Sequence, residues 1–172
     1  RRNYIEGPFL SSAVLKSPDY TMELMLKTVQ KLRLEDKFNG YIHLKAIPGA
    51  DLKLIEEAGQ YVDRMSVNIE LPSDRGLKLL APQKTRKSIL GPMSHIRSQI
   101  AEARDKTYRN KSKLFVPAGQ TTQLIVGATP DHDLSILHLS ESLYQSFNLK
   151  RVYYSAYVPV SNHPNLPAIS GP

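Results

Sequence analysis

The sequence of 172 residues contains no cysteine and no tryptophan. Without cysteine the chain cannot form a disulfide bond, and it cannot supply a thiolate ligand to zinc or to an iron–sulfur cluster. No apolar run approaches the length of a membrane-spanning helix, and no signal-peptide pattern opens the chain. Because 41% of its residues are hydrophobic and both charge signs are present, we expect a globular, cytoplasmic protein.

Both ends of the sequence are irregular. It begins with Arg1 to Asn3 without a methionine and closes with Ser170 to Pro172. We therefore expect a domain that is truncated at both ends, with an ordered core over residues 1–160. Residues 161–172 contain several prolines and asparagines, and they are predicted to form a C-terminal tail.

Acidic residues are scarce in one segment. From Arg75 to Lys113 the chain has eleven lysines and arginines but two acids, so this segment carries +9 whereas the whole chain carries +7. Such a concentration of positive charge favours a polyanion such as nucleic acid, and a solvated helix face is the alternative. The candidate nucleic-acid patch consists of Arg86, Lys87, Arg104 and Arg109.

The most informative segment is Gly119 to Asp133. An apolar core, Leu124 to Val126, is followed at once by Gly127 and then by a helix-start pattern. This predicts a buried strand, a tight turn and a helix. Folds of the α/β class place their ligands at corners of this kind.

The same strand-then-helix rhythm occurs five times along the chain. Parallel strands with right-handed helical crossovers follow from it, in a doubly wound sheet or in part of a (β/α) barrel. The predicted strands are Gly7–Val14, Gly40–Ile47, Met65–Leu71, Thr122–Ala128 and Arg151–Val160. The longest intervening helix has Ile89, Met93, Ile96, Ile100 and Ala103 on one face. Pro92 is expected to start or kink it, and Lys106–Lys113 is predicted as a loop.

Alternation along the strands separates apolar from polar faces. The polar sets are Tyr41, His43 and Lys45; Ser66, Asn68 and Glu70; Thr121, Gln123 and Ile125; and Tyr153, Ser155 and Tyr157. Burying such ionisable groups unpaired would cost several kcal/mol. A wide, partly open barrel with a solvent- or ligand-filled interior explains the pattern. An open sheet with one solvent-exposed face explains the pattern too.

Individual side chains leave alternatives open. Lys45 is either a Schiff-base or proton-transfer lysine, or the partner of Glu70 in a structural ion pair. His43 is more often a hydrogen-bonded core histidine than a ligand. The remaining histidines show no spacing typical of zinc ligands, so no metal site is predicted in this chain.

Five segments together resemble one known family. They are FLSSAVLKSPDYTMELM, NGYIHLKAIPGA, DRMSVNIELPSDRGLKLLAP, PAGQTTQLIVGATPDHDL and LKRVYYSAYVPV. Over Gly7 to Pro167 the chain resembles radical S-adenosylmethionine proteins assigned to DNA modification or repair, which are associated with uracil-DNA-glycosylase-like partners. The resemblance implies a partial (β/α)6 TIM-like barrel that lacks its first strand and the cluster loop. That loop carries the CxxxCxxC ligands of a [4Fe-4S] cluster in the family.

The resemblance also implies residue roles. Residues implied in S-adenosylmethionine binding are Ser11, Ser12, Asn68, Glu70, Gln123, Ile125 and Gly127. Ser11 and Ser12 stand where many families have GGE, and Gln123 replaces the first glycine of a GxIxGxxE-like pattern. Lys45, Ser155 and Tyr157 would line the lumen towards the substrate.

The expected function is thus that of a radical S-adenosylmethionine enzyme acting on nucleic acid through a 5′-deoxyadenosyl radical. This piece alone is expected to be inactive, because it has no cluster ligands. Two rivals remain: a barrel lyase or aldolase with Lys45 as Schiff base, and a non-enzymatic basic nucleic-acid-binding module.

Overall fold

The computed structural model describes residues 6–110, 114–159 and 166, with the side chains of residues 107–110 excepted. The strands are β1 (Phe9–Leu10), β2 (His43–Lys45), β3 (Arg64–Ser66), β4 (Gln120–Val126) and β5 (Arg151–Ala156). The helices are α1 (Pro18–Gln30), α2 (Leu52–Gly59), α3 (Asp74–Leu80), α4 (Arg86–Asn110) and α5 (Asp133–Phe147). A wider π-helical turn, Lys31–Glu35, extends α1.

All five strands are parallel and follow one another in the order β1-β2-β3-β4-β5. This confirms the predicted α/β class. The order never reverses, so crossovers of one hand place all helices on one side of the sheet. Contacts of α1 with α2, of α2 with α4 and of α4 with α5 show that the helices form one layer. The doubly wound alternative, with helices on both faces, is therefore wrong.

The core lies between the helical layer and one face of the sheet. Leu44, Met65 and Leu124 point into it from three neighbouring strands and are fully buried. The predicted apolar face of the longest helix is confirmed, since Ile89, Met93 and Ile96 are fully buried, and the other helices contribute the buried residues Met22, Val29, Ile55 and Leu143. The 2-residue and 3.6-residue periods thus identified the same core from both layers.

Polar side chains start three of the helices. Ser17 accepts a hydrogen bond from the Tyr20 amide, Asp51 from the Lys53 amide, and Ser73 from the Gly76 amide. Each cap satisfies an amide that has no partner in the first helical turn. The third starts α3, which the sequence analysis missed inside the basic segment.

The predicted helix start at Pro92 and part of the predicted loop after the longest helix were wrong. Pro92 neither starts nor ends α4, which begins at Arg86. Proline removes the amide that would bond the Ser88 carbonyl, but the Gly49 amide donates to that carbonyl at 3.2 Å. This tertiary hydrogen bond lets the helix pass through the proline. The helix also continues to Asn110, so the first part of the predicted Lys106–Lys113 loop is helical, and 111–113 lie outside the described residues.

The strands are shorter than predicted, most of all β1 with two residues. The predicted fifth strand extended to Val160, whereas β5 ends at Ala156. Val160 and nearly all of the predicted tail lie outside the described residues. No helix in the described ranges is both long and apolar enough to cross a membrane.

Candidate functional site

The predicted polar sets of the strands lie on a common face of the sheet. Neighbouring residues in register point the same way, and the register aligns Lys45 with Ser66, Ser66 with Thr121, and Gln123 with Tyr153. The helical layer packs on the other face. The sequence alternation is therefore confirmed within the strands, and it defines a polar face that runs across β2, β3, β4 and β5, with Phe9 of β1 beside His43 at its edge.

Charged groups meet where the strands end. Glu70 Oε1 lies 2.6 Å from Lys84 Nζ and 3.6 Å from Lys45 Nζ, and all three side chains are largely buried. The predicted Lys45–Glu70 ion pair is confirmed. Lys84 was missed, because it comes from the α3–α4 connection and no periodic pattern marks it. One carboxylate between two ammonium groups leaves a local net charge of +1.

Glu70 is held in an unusual backbone conformation. Its φ is +65°, in the left-handed region that residues with a side chain rarely occupy. Its amide donates to the Gln123 carbonyl at 3.1 Å, and its own carbonyl accepts from the Ile125 amide at 2.8 Å. These bonds to β4 fix the carboxylate at the carboxyl end of the sheet. Such conformations persist where the surroundings hold them, often at functional sites.

A cavity of about 610 Å³ adjoins this charged group. Its lining includes Ser12, Lys45, Gln83 and Lys84, which come from the β1–α1 connection, β2 and the α3–α4 connection. Ser12 donates to the Ala13 carbonyl, and Ser11 is exposed. The structure thus brings Ser12, but not Ser11, to the same cavity as Lys45.

The corner after β4 has the predicted turn. Gly127 has a φ of +85°, which explains glycine at this position. The Asp131 carboxylate accepts hydrogen bonds from the Thr129 hydroxyl and, at 3.1 Å, from Ser73. Asp131, which stands near the acid of the family pattern, therefore ties the turn to the start of α3.

Gln123 links the last two strands on the polar face. Its Nε2 donates to Ser155 Oγ at 2.5 Å, and Ile125 is paired with Ser155 in the ladder. Tyr157 follows β5 and its amide donates to the Val126 carbonyl. Gln123, Ser155 and Tyr157 are all partly accessible. Gln123, which the resemblance implies in S-adenosylmethionine binding, is thus adjacent to Ser155, which it implies in lining the lumen.

A second, smaller pocket of about 230 Å³ lies on the same polar face. The residues that line it are Phe9, His43, Ser66, Asn68, Thr121, Thr122, Gln123 and Tyr153. His43 Nε2 and Thr121 Oγ1 are buried there without a hydrogen-bond partner in the described part of the chain. His43 was expected to be a hydrogen-bonded core histidine more often than a ligand, and its Nε2 has no such bond among the described residues.

His43 is uncharged at neutral pH. Burial, assisted by the positive charge of Arg64, lowers its pKa to about 4. Its ring packs against Phe9, with the centroids 4.6 Å apart. A neutral imidazole offers one donor and one acceptor. The pocket consequently has no charged side chain in its lining.

The predicted basic patch is spread along α4. Arg86 is held by Asp74 at 2.6 Å and by the Leu71 and Pro72 carbonyls, so its guanidinium supports the end of the sheet. Lys87 and Arg104 are exposed. They are 17 residues apart, or about 25 Å along a helix. Arg109 lies in α4, but its side chain is outside the described residues.

Lys87 and Arg104 therefore lie at opposite ends of the fold. The start of α4 touches the end of β2 through the bond from Gly49 to Ser88. Lys87 is thus on the side of the charged group at Glu70, whereas Arg104 is at the far end. Within the described ranges no three histidine, aspartate or glutamate side chains could hold a metal ion together.

No family model matches this chain, and no curated protein or solved structure does so either. The architecture of five parallel strands in sequential order under one helical layer, with a polar face opposite, is what defines this protein.

Proposed function

We propose that this chain is the S-adenosylmethionine-binding part of a radical S-adenosylmethionine enzyme that modifies nucleic acid. Its sheet would form most of a partial (β/α)6 barrel. The observation that carries the proposal is the group of Lys45, Glu70 and Lys84 beside a cavity at the carboxyl ends of sequential parallel strands. Barrel enzymes place their chemistry at this end of the sheet.

The donor set at this edge fits S-adenosylmethionine. A lysine ammonium complements the carboxylate of the methionyl part, and the Glu70 carboxylate complements ribose hydroxyls or the sulfonium. The Ile125 side chain and the backbone at Gly127 suit the flat adenine. Asn68 and Gln123 offer further hydrogen bonds from the same face. When bound, S-adenosylmethionine would supply the adenosyl group for hydrogen abstraction.

The same chain does not fit the cluster that the family uses. A [4Fe-4S] cluster is held by cysteine thiolates, and this sequence has none. The proposed role of these residues is therefore to bind and orient S-adenosylmethionine and substrate. A uracil-DNA-glycosylase-like protein as partner also stays a prediction.

Calorimetric titration of the chain with S-adenosylmethionine tests the binding role. We expect weak affinity, because no cluster chelates the methionine, and about tenfold weaker binding for Glu70→Gln, which keeps the shape but removes the charge. Glu57→Gln on the exposed face of α2 is the matched control and should bind as the parent does. Absence of binding, or equal loss in both variants, would contradict the proposal.

The nucleic-acid part has its own test. Lys87 lies at the same end of the fold as the charged group and Arg104 at the other. A substrate reaching the polar face should therefore lose more affinity with Lys87→Glu than with Arg104→Glu. Affinity should also fall with salt, by about 0.9 log units per log unit of salt for each duplex phosphate contact. Binding that neither variant alters would refute a role for these exposed cations.

The surroundings of Lys45 argue against the alternative hypothesis of a barrel lyase or aldolase with Lys45 as Schiff base. An ammonium ion paired with a carboxylate is not a nucleophile until it loses its proton. Lys45 does line the 610 Å³ cavity, so borohydride trapping of a carbonyl compound on Lys45 would favour that reading.

A further inference from the structure

Two buried polar atoms in the small pocket on the polar face have no hydrogen-bond partner in the described part of the chain. They are the Thr121 hydroxyl oxygen and His43 Nε2. Ser66, Asn68 and Thr121, which line the pocket together, are 4%, 6% and 1% exposed. Buried polar groups are nearly always hydrogen-bonded, so two unpartnered atoms in one pocket call for an explanation.

A ligand explains this better than the fold does. Leaving a buried polar group without a partner is unfavourable, and apolar residues of similar shape would fill the same space at lower cost. Thr122, next in sequence, shows the ordinary arrangement: its hydroxyl donates to the Val67 carbonyl and accepts from the Ile69 amide. Both threonines line the pocket, but the Thr121 hydroxyl has no partner among the described residues.

The chemistry of the lining narrows the class of ligand. It contains hydroxyl, carboxamide and neutral imidazole groups but no carboxylate or ammonium, so a charged group would enter unpaired. Asn68 presents a donor and an acceptor side by side, which matches the edge of a nucleobase. Gln123 Nε2 is taken by Ser155, which leaves its carbonyl oxygen as an acceptor.

The size and the aromatic rim of the pocket also favour a nucleobase. Phe9 and Tyr153 line the pocket and are 59% and 39% exposed, so two aromatic rings stand at its rim. Aromatic rings stack on bases whatever their sequence. The volume of about 230 Å³ is below the range of pockets for drug-sized ligands, which fits a single heterocycle.

We propose that this pocket accepts one uncharged nucleobase, read by Asn68, Gln123, Ser66 and Thr121 and flanked by Phe9 and Tyr153. The inference rests on the proposed function in one respect: it names the part of a nucleic acid that would enter the polar face. Enzymes that act on a base commonly take it out of the stack into such a pocket. Lys45, Glu70 and Lys84 are not in the lining of this pocket, although Lys45 neighbours Ser66 in the sheet.

Nuclear magnetic resonance titration with uridine, cytidine, adenosine and guanosine tests this directly, with ribose 5-phosphate as the probe for sugar or phosphate binding. At least one nucleoside should shift the resonances of His43, Asn68 and Thr121. Asn68→Leu should weaken that nucleoside about tenfold to a hundredfold, as expected for loss of a two-point contact. Thr121→Val, which keeps the shape of β4, should weaken it as well, whereas Lys53→Ala on the exposed face of α2 should not.

The outcomes separate this inference from the proposed function. If no nucleoside shifts these resonances, or ribose 5-phosphate shifts them equally, the base pocket is refuted and the polar groups hold only water. If S-adenosylmethionine displaces the nucleoside from the same resonances, the pocket serves the adenine and the inference fails, while the proposed function stands. If a nucleoside binds there and S-adenosylmethionine binds nowhere, the inference stands alone.

Discussion

Thr121 and Thr122 are adjacent in β4, and both are buried, but their hydroxyl groups have opposite surroundings. Thr122 Oγ1 donates to the Val67 carbonyl at 2.8 Å and accepts from the Ile69 amide at 2.9 Å. Thr121 Oγ1 has no partner within the described residues and faces the small pocket. Valine has the same branched shape and suits a strand equally well, so Thr→Val changes the hydrogen bonding and little else.

The two substitutions should therefore change stability in opposite directions. Thr122→Val leaves the Ile69 amide without its acceptor, which costs about 2 kcal/mol. Thr121→Val removes an unpaired buried hydroxyl, so we expect stability to be unchanged or raised by up to about 1 kcal/mol. The difference between the variants, about 3 kcal/mol, corresponds to roughly 6–12 °C in Tm for a chain of this size.

Urea denaturation of the parent and both variants measures this difference. The m-value should stay constant, which shows that only the free energy of unfolding has changed. If Thr121→Val destabilises the protein as much as Thr122→Val, the Thr121 hydroxyl is satisfied after all. The unpaired polar pocket, and the nucleobase inference built on it, would then be refuted.

Two further predictions concern the same face and its edge. The pKa of His43 is lowered to about 4 from 6.5, so the unfolded chain binds this proton more readily. The free energy of unfolding should therefore fall as pH drops from about 6.5 towards 4. Urea titrations at several pH values measure this fall, and His43→Gln should reduce it. If the variant shows the same dependence of the free energy of unfolding on pH, other groups cause it. Gly127→Ala should lower the free energy of unfolding by about 1–2 kcal/mol because φ is +85° there, although a methyl group would have space. Gly91→Ala, at an exposed position of α4, should raise the free energy of unfolding by up to about 1 kcal/mol. Thermal melts of both alanine variants compare them, and equal effects would contradict the backbone argument.

Much of the architecture followed from local pattern. The alternation in β2 to β5 and the 3.6-residue spacing in α1, α4 and α5 predicted the correct core residues, because both periods show which face of a strand or helix is shielded from solvent. The first and last residues of the helices and strands were less predictable. Helix α4 passes Pro92 because Gly49, distant in sequence, donates to the carbonyl that the proline leaves free. No local signal contains that contact.

The residues of the candidate site also differ in whether local pattern could predict their place. Strand alternation was enough to assign Lys45, Gln123 and Ser155 to polar strand faces, since side-chain direction within a strand follows its two-residue period. Contacts between distant segments bring Lys84 to Glu70, hold Arg86 against the end of the sheet, and place Ser66, Asn68 and Thr121 in one pocket, where the Thr121 hydroxyl has no partner among the described residues. Those facts depend on strand order and on a loop crossing the end of the sheet. They are properties of residues far apart in the chain, which no local period can encode.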